Sequence, residues 1–131
     1  MKLLLDTPVW IWSLLEPERL APAHRAALES HDAELWLSPV SVWELFALIA
    51  EGRVAVNGDP AQWVADALRA VPMREAALTH EVAARSHALD LSGADPAGRL
   101  IAATAHVHGL TLVTEDGRLT ATKEVRSLGT N

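Results

Sequence analysis

The sequence predicts a three-layer α/β domain with a mainly parallel central sheet. Three observations carry that prediction. Short apolar runs occur at "KLLLD" 2–6, "LWLS" 35–38 and "LTLVTED" 110–116, and the first is continuous rather than alternating, as a strand buried on both faces is. Longer helix-like stretches separate them, and strand–helix alternation marks parallel pairing. Several of these stretches open with a polar residue followed by proline, the usual punctuation of a helix start.

Taken in order, "KLLLD" is a buried strand ending in Asp6. "TPVWIWSLLE" is a helix with Thr7 as N-cap and Pro8 at its first position, and "PAHRAALESH" is a second helix. After the strand at 35–38, Ser38 and Pro39 open "SPVSVWELFALIAEGR", which runs to Gly52. Asp59 and Pro60 open "DPAQWVADALRA" in the same way. "VPM" at 71–73 is a short strand and "THEVAARSHALDL" a further helix. "ADPAGRLIAATAHVHG", 94–109, has Asp95 as cap, Pro96 at the first helical position and Gly109 as terminator. The strand at 110–116 follows, and "EVRSL", 124–128, is a weak last strand.

The 131 residues favour one domain, spanning 1–131, and a hydrophobic fraction of 50% excludes disorder as the ground state. No apolar run approaches the roughly 20 residues that span a bilayer, and the start "MKLLLD" is too short in its apolar part for a signal peptide. Without cysteine there are no disulfides or thiolate metal sites, which fits a cytoplasmic protein. A net charge of −6 supplies no global basic field for nucleic acid, so an RNA substrate would need local arginines or metal ions.

Two strands end in acid, at Asp6 and Asp116. Ligand sites of open α/β sheets lie beyond the C-terminal ends of the strands. Asp95 opens a helix, and Glu44 stands between Trp43 and Leu45 in a largely apolar one. Each has an ordinary reading: Asp95 as a helix cap, Glu44 on a solvated face, Asp116 as a turn residue before Gly117. Asp6 is the hardest to dismiss, because a strand in a buried sheet gains nothing structural from ending in a charge. If the four converge, like charges raise one another's pKa and a divalent cation relieves the repulsion. All-oxygen donors favour Mg²⁺ or Mn²⁺ over zinc, and such an ion suits phosphodiester hydrolysis.

These residues resemble a known family, the PIN-domain ribonucleases, and within it the toxin halves of VapC-type toxin–antitoxin pairs. "LLLDTPVWIW" resembles the family's opening L-L-L-D-T-H-x-x-x-W. "SPVSVWELFAL" is similar to S-x-x-S-x-W-E, "ADPAGRLIAATA" to D-P-F-D-R-x-I-A-A-T-A, and "LTLVTED" to L-x-L-V-T-x-D. The resemblance implies a PIN-like α/β/α fold and Mg²⁺- or Mn²⁺-dependent endonucleolytic cleavage of RNA. It also implies a cognate antitoxin and a homodimer. Its metal-binding acids fall on Asp6, Glu44 and Asp116, with Thr114 bonding near the site and Arg99 matching the family arginine, placed against RNA phosphate or a nearby acid.

Two positions depart from the pattern. The family's histidine after D-T is Pro8, and the second Asp of D-P-F-D-R is Gly98. Asp95 is then the candidate to replace the missing acid, one helical turn away on the same face. Gly98 is either natural divergence or an inactivating change, since an active toxin selects against its own expression. The residues therefore admit a second function: a catalytically degenerate PIN domain that binds antitoxin, and RNA, without efficient cleavage. A phosphoacceptor receiver domain also clusters acids at strand ends. It needs paired acids after the first strand, however, where this chain has Thr7 and Pro8. It also needs a lysine near the last strand, whereas Lys123 lies beyond it. His106 and His108 fit the negative end of their helix dipole rather than a metal. Trp10, Trp12, Trp36, Trp43 and Trp63 are mostly core, with one or two left for a partner surface.

Overall fold

A computed structural model of the chain describes residues 1–129, so the expected 1–131 domain ends two residues outside it. The chain runs β1 (Lys2–Leu5), α1 (Thr7–Leu15), a 3₁₀ turn (Pro17–Arg19), α2 (Pro22–Glu29), β2 (Glu34–Leu37), α3 (Pro39–Ala50) and α4 (Pro60–Ala70). It continues through β3 (Arg74–Glu75), α5 (His80–Ala88), α6 (Pro96–His108), β4 (Thr111–Val113) and α7 (Gly117–Thr120). The four strands form one parallel sheet in the order β3-β2-β1-β4, so β1 is central. Parallel neighbours cannot be joined by tight turns, and helices make every crossover here.

Strand β1 explains the two-sided core. Leu3 and Leu5 pack on one face with Val9, Trp10, Leu37, Leu45 and Val113. Leu4 packs on the other with Ile101, Ala102, Ala105 and Leu112. All three leucines are almost fully buried, which is why the run is apolar without alternation. The alanines of α6 let this helix, nearly buried along one side, lie close against the sheet. Helix α3 contributes Val40 to one core and Leu45 to the other, so it lies across the sheet's end with Glu44 between them.

The structure revises several expectations. The cap of α1 is Asp6, not Thr7: Asp6 is extended and its Oδ1 accepts the Val9 N–H at 2.9 Å, which makes Thr7 the first helical residue and moves Pro8 to the second. Asp6 therefore does have a structural use. The short strand expected at 71–73 lies at Arg74–Glu75, because pairing with Trp36 and Leu37 of β2 sets its register. The strand expected at 124–128 reduces to one bridge between Leu112 and Ser127, held by the Leu112 N–H to Arg126 O and the Leu128 N–H to Leu112 O. The 3₁₀ turn and α7 have no counterpart in the sequence prediction.

Candidate functional site

At the C-terminal end of β1 the Asp6 carboxylate is 3% exposed. Its Oδ1 is taken by the Val9 N–H, and its Oδ2 accepts the Thr114 hydroxyl, one residue beyond β4. The Thr114 oxygen in turn accepts the Asp116 N–H at 3.0 Å. A single buried threonine thus ties the two strand-end acids together. Adjacent Thr7 reaches α3 on the other side: its hydroxyl donates to Glu44 and lies 2.9 Å from the Ser41 hydroxyl. Thr114 thus bonds to Asp6 and Asp116, while Thr7, next to Asp6 in the chain, bonds to Glu44, and the three acids gather at the C-terminal edge of the sheet.

The electrostatics follow the geometry. Burial drives the Asp6 carboxyl from an ordinary 3.8 up to about 6; the Thr114 and Val9 bonds oppose the rise, and the charges of Asp116 and Glu44 add to it. Half-buried Glu44 is also raised, first by loss of solvent and then by the charge of Asp95, against the lowering effect of Thr7. Asp116 moves the opposite way. It lies below the usual range because Arg118 donates to it from Nε to Oδ1 at 3.0 Å and from Nη2 to Oδ2 at 2.8 Å.

Asp95 stands at the border of the cluster. It is exposed, and its Oδ1 caps α6 by accepting the Gly98 N–H at 2.7 Å. A β-carbon at position 98 would come within 2.7 Å of that oxygen and 3.4 Å of Leu119 Cδ2. Glycine at 98 therefore gives the Asp95 carboxylate the space it occupies.

Arg99 corrects one expectation, the pairing with a nearby acid. Among the described residues it meets no acid; its guanidinium donates to the carbonyls of Ser86, Leu89 and Leu91 at 2.7, 3.2 and 3.1 Å. Arg99 thereby closes the C-terminal end of α5, whose last carbonyls lack helical partners. The histidines of the last turn of α6 reach backbone carbonyls, His106 that of Glu124 and His108 that of Ala77. Trp10 is core, Trp12, Trp36 and Trp63 are half-buried, and Trp43 is 67% exposed.

Three residues at the site escaped the sequence reading. From sequence Thr7 reads as a cap and Ser41 carries no role; the signal for them is the D-T pair and the second serine of "SPVSVWE". The signal for Arg118 was the Asp-x-Arg spacing of "EDGR". A short turn after the strand lets an arginine two residues on fold back to its acid.

Among the described residues no three His, Asp or Glu side chains stand close enough together to enclose an ion unaided. The donor set nevertheless suits a hard divalent cation. It consists of carboxylate oxygens, two of them raised in pKa by burial and mutual repulsion, which a bound cation would reverse.

Comparison with known proteins agrees with the topology. The PIN domain family matches residues 3–125. Ribonuclease VapC22 of Mycobacterium tuberculosis is 39% identical over 124 residues, covering 94% of this chain and 93% of that protein. VapBC2 from Rickettsia felis, solved bound to a DNA fragment from its promoter, superposes with a TM-score of 0.73 over 98% of both chains at 14% identity, a likeness of fold. FitAcB from Neisseria gonorrhoeae gives a TM-score of 0.57 at 25% identity over 98% of this chain and 97% of that one. A family match across nearly the whole length, with a relative this similar and a parallel sheet carrying its acids at one edge, leads to one conclusion: the chain belongs to the PIN-domain family.

Proposed function

We propose that this protein is the ribonuclease toxin of a toxin–antitoxin pair and hydrolyses RNA phosphodiesters with Mg²⁺ or Mn²⁺ at the Asp6–Glu44–Asp116 edge. The observation that carries this reading is the set of acids held by Thr114 and Thr7, in which Asp6 is buried with two donors among the described residues, Val9 N–H and Thr114. The similarity to a protein named as a ribonuclease supports the substrate class. Asp6, Glu44 and Asp116 would hold the ion, with Asp95 at its margin. When bound, such an ion lowers the pKa of a water and stabilises the charge of an in-line displacement. The chain itself contributes orientation: Thr114 fixes Asp6, and Thr7 with Ser41 fixes Glu44.

The degenerate alternative has a specific basis in Gly98, where the family pattern carries an acid. One assay separates the two readings: Mn²⁺-dependent cleavage of mixed cellular RNA by the protein, Asp6→Ala and Gly98→Asp. Cleavage by the unaltered protein that Asp6→Ala abolishes supports the enzyme. Cleavage only after Gly98→Asp supports the degenerate form.

The partners we propose are an antitoxin and a second copy. Structural relatives solved as toxin–antitoxin complexes support the first. So does an apolar cavity of about 170 Å³ among Leu5, Trp10, Leu14, Leu20, Leu28 and Met73, which suits an apolar anchor of an amphipathic segment. The exposed Trp43 and Leu78, which share an apolar recess with Leu100, suit the second copy. We place the protein in the cytoplasm with its RNA; among the described residues no helix is long and apolar enough to cross a membrane.

A further inference from the structure

Among the described residues, the cation that grips the acid cluster is Arg118, from the chain itself. Arg118 sits at the start of α7 and folds back on Asp116 with a two-pronged grip, Nε to Oδ1 at 3.0 Å and Nη2 to Oδ2 at 2.8 Å. Its third nitrogen, Nη1, donates to Gly93 O at 3.0 Å, two residues before Asp95. The Arg118 backbone N–H adds a further bond to Asp116 Oδ1 at 3.0 Å. Both oxygens of Asp116 therefore face donors, and the guanidinium bridges the two loops that flank the cluster. Among the described residues Asp6 and Glu44 have no such partner: their donors there are hydroxyl and backbone groups.

A planar guanidinium matches a carboxylate in the same plane that a metal ligand would use, and a divalent ion brought to that carboxylate meets a fixed positive charge. The pair is not locked in the interior. The Arg118 side chain is 54% exposed and that of Asp116 29%, so the grip can open into water.

We propose that Arg118 competes with the divalent cation for Asp116, so that loading the ion requires the Arg118–Asp116 fork to open and Arg118 sets the metal affinity of the site. The inference rests on the metal-binding role of Asp6, Glu44 and Asp116 proposed above. Arg118 is a positioning residue in this account: in the metal-free protein it holds Asp116 in place and neutralises part of the cluster's charge, and the cation takes over both tasks. The cost of opening is that of an exposed ion pair, so the effect on affinity is modest rather than absolute.

Calorimetric titration with Mn²⁺ alone, at low salt and neutral pH, tests this without reference to cleavage. The proteins compared are the unaltered chain, Arg118→Gln, Asp116→Asn, the double variant and Asp6→Asn. Arg118→Gln is expected to bind Mn²⁺ about fivefold more tightly, the scale of an exposed bidentate pair. In the Asp116→Asn background the same change is expected to do nothing, because there is no carboxylate left to contest. Unchanged or weaker binding by Arg118→Gln overturns the competition. An equal gain in the Asp116→Asn background also overturns it, since the arginine would then act only through its charge. Neither result touches the metal site itself. If Mn²⁺ binding is absent, or is indifferent to Asp6→Asn, the metal reading falls and this inference falls with it.

Discussion

The Thr114 hydroxyl donates to Asp6 across the β1–β4 pair, while its oxygen accepts the Asp116 N–H. One side chain fixes two acids that are 110 residues apart in sequence (Asp6 and Asp116). Thr114→Val keeps the shape of this position and removes the donor. The loss of a buried, charge-assisted bond is expected to cost about 1–3 kcal/mol of stability at pH 8, where Asp6 is ionised. Chemical denaturation at pH 8 and pH 5 checks it; a cost no larger at pH 8 than at pH 5 contradicts the assigned bond.

Asp6 makes metal-free stability depend on pH. Its folded pKa, about 6, lies above the ordinary 3.8, so between those values the native state holds more protons than the unfolded one. Stability from this group is therefore full below the lower value and is lost as pH rises through about 6. The shift corresponds to about 3 kcal/mol by linkage. Asp6→Asn keeps a capping oxygen and removes the charge. Measured in EDTA, it should raise the melting temperature at pH 8 and have much less effect at pH 4.5. Destabilisation at both pH values would mean that the carboxylate's bonds outweigh its burial.

Gly98→Asp restores the family acid but brings a β-carbon against Asp95 Oδ1, the atom that caps α6. That oxygen ends a short flexible side chain and can move, and exchanging helical glycine for aspartate recovers less than the about 0.5–1 kcal/mol that alanine would. Stability is expected to stay within about 1 kcal/mol of the original while Mn²⁺-dependent cleavage increases. A stably folded variant with no gain in cleavage contradicts the importance of a fourth acid here.

Arg99→Gln removes three bonds to the carbonyls of Ser86, Leu89 and Leu91. We expect a loss of about 2–3 kcal/mol in denaturant unfolding, with RNA affinity of the folded protein unchanged. A fall in RNA affinity at unchanged stability would return Arg99 to the substrate.

The sheet was legible because β1 and β4 are short apolar runs buried on both faces, a condition that leaves a direct mark on composition. Proline and cap residues marked α3, α4 and α6 closely, since capping is local chemistry between residues two or three apart. Strand β3 was misplaced because two residues carry no pattern and the partner strand chose the register. Asp6 and Glu44 stood out as acids in apolar surroundings, Asp116 only as an acid closing a strand, and the family motifs named all three. The directions of Arg99 and Arg118 were not legible. Arg99 takes its partners from the end of α5 and the loop after it, and Arg118 from its own turn and the Gly93 loop, geometries that no periodicity announces.

The central claim is that Asp6, Glu44 and Asp116 face one divalent ion. Paramagnetic broadening by substoichiometric Mn²⁺ in amide NMR spectra tests it most directly. The account predicts that the amides of Thr7, Glu44 and Asp116 broaden first and together, and that Asp6→Asn abolishes the effect. Broadening centred elsewhere on the chain, or unaltered by Asp6→Asn, would contradict it.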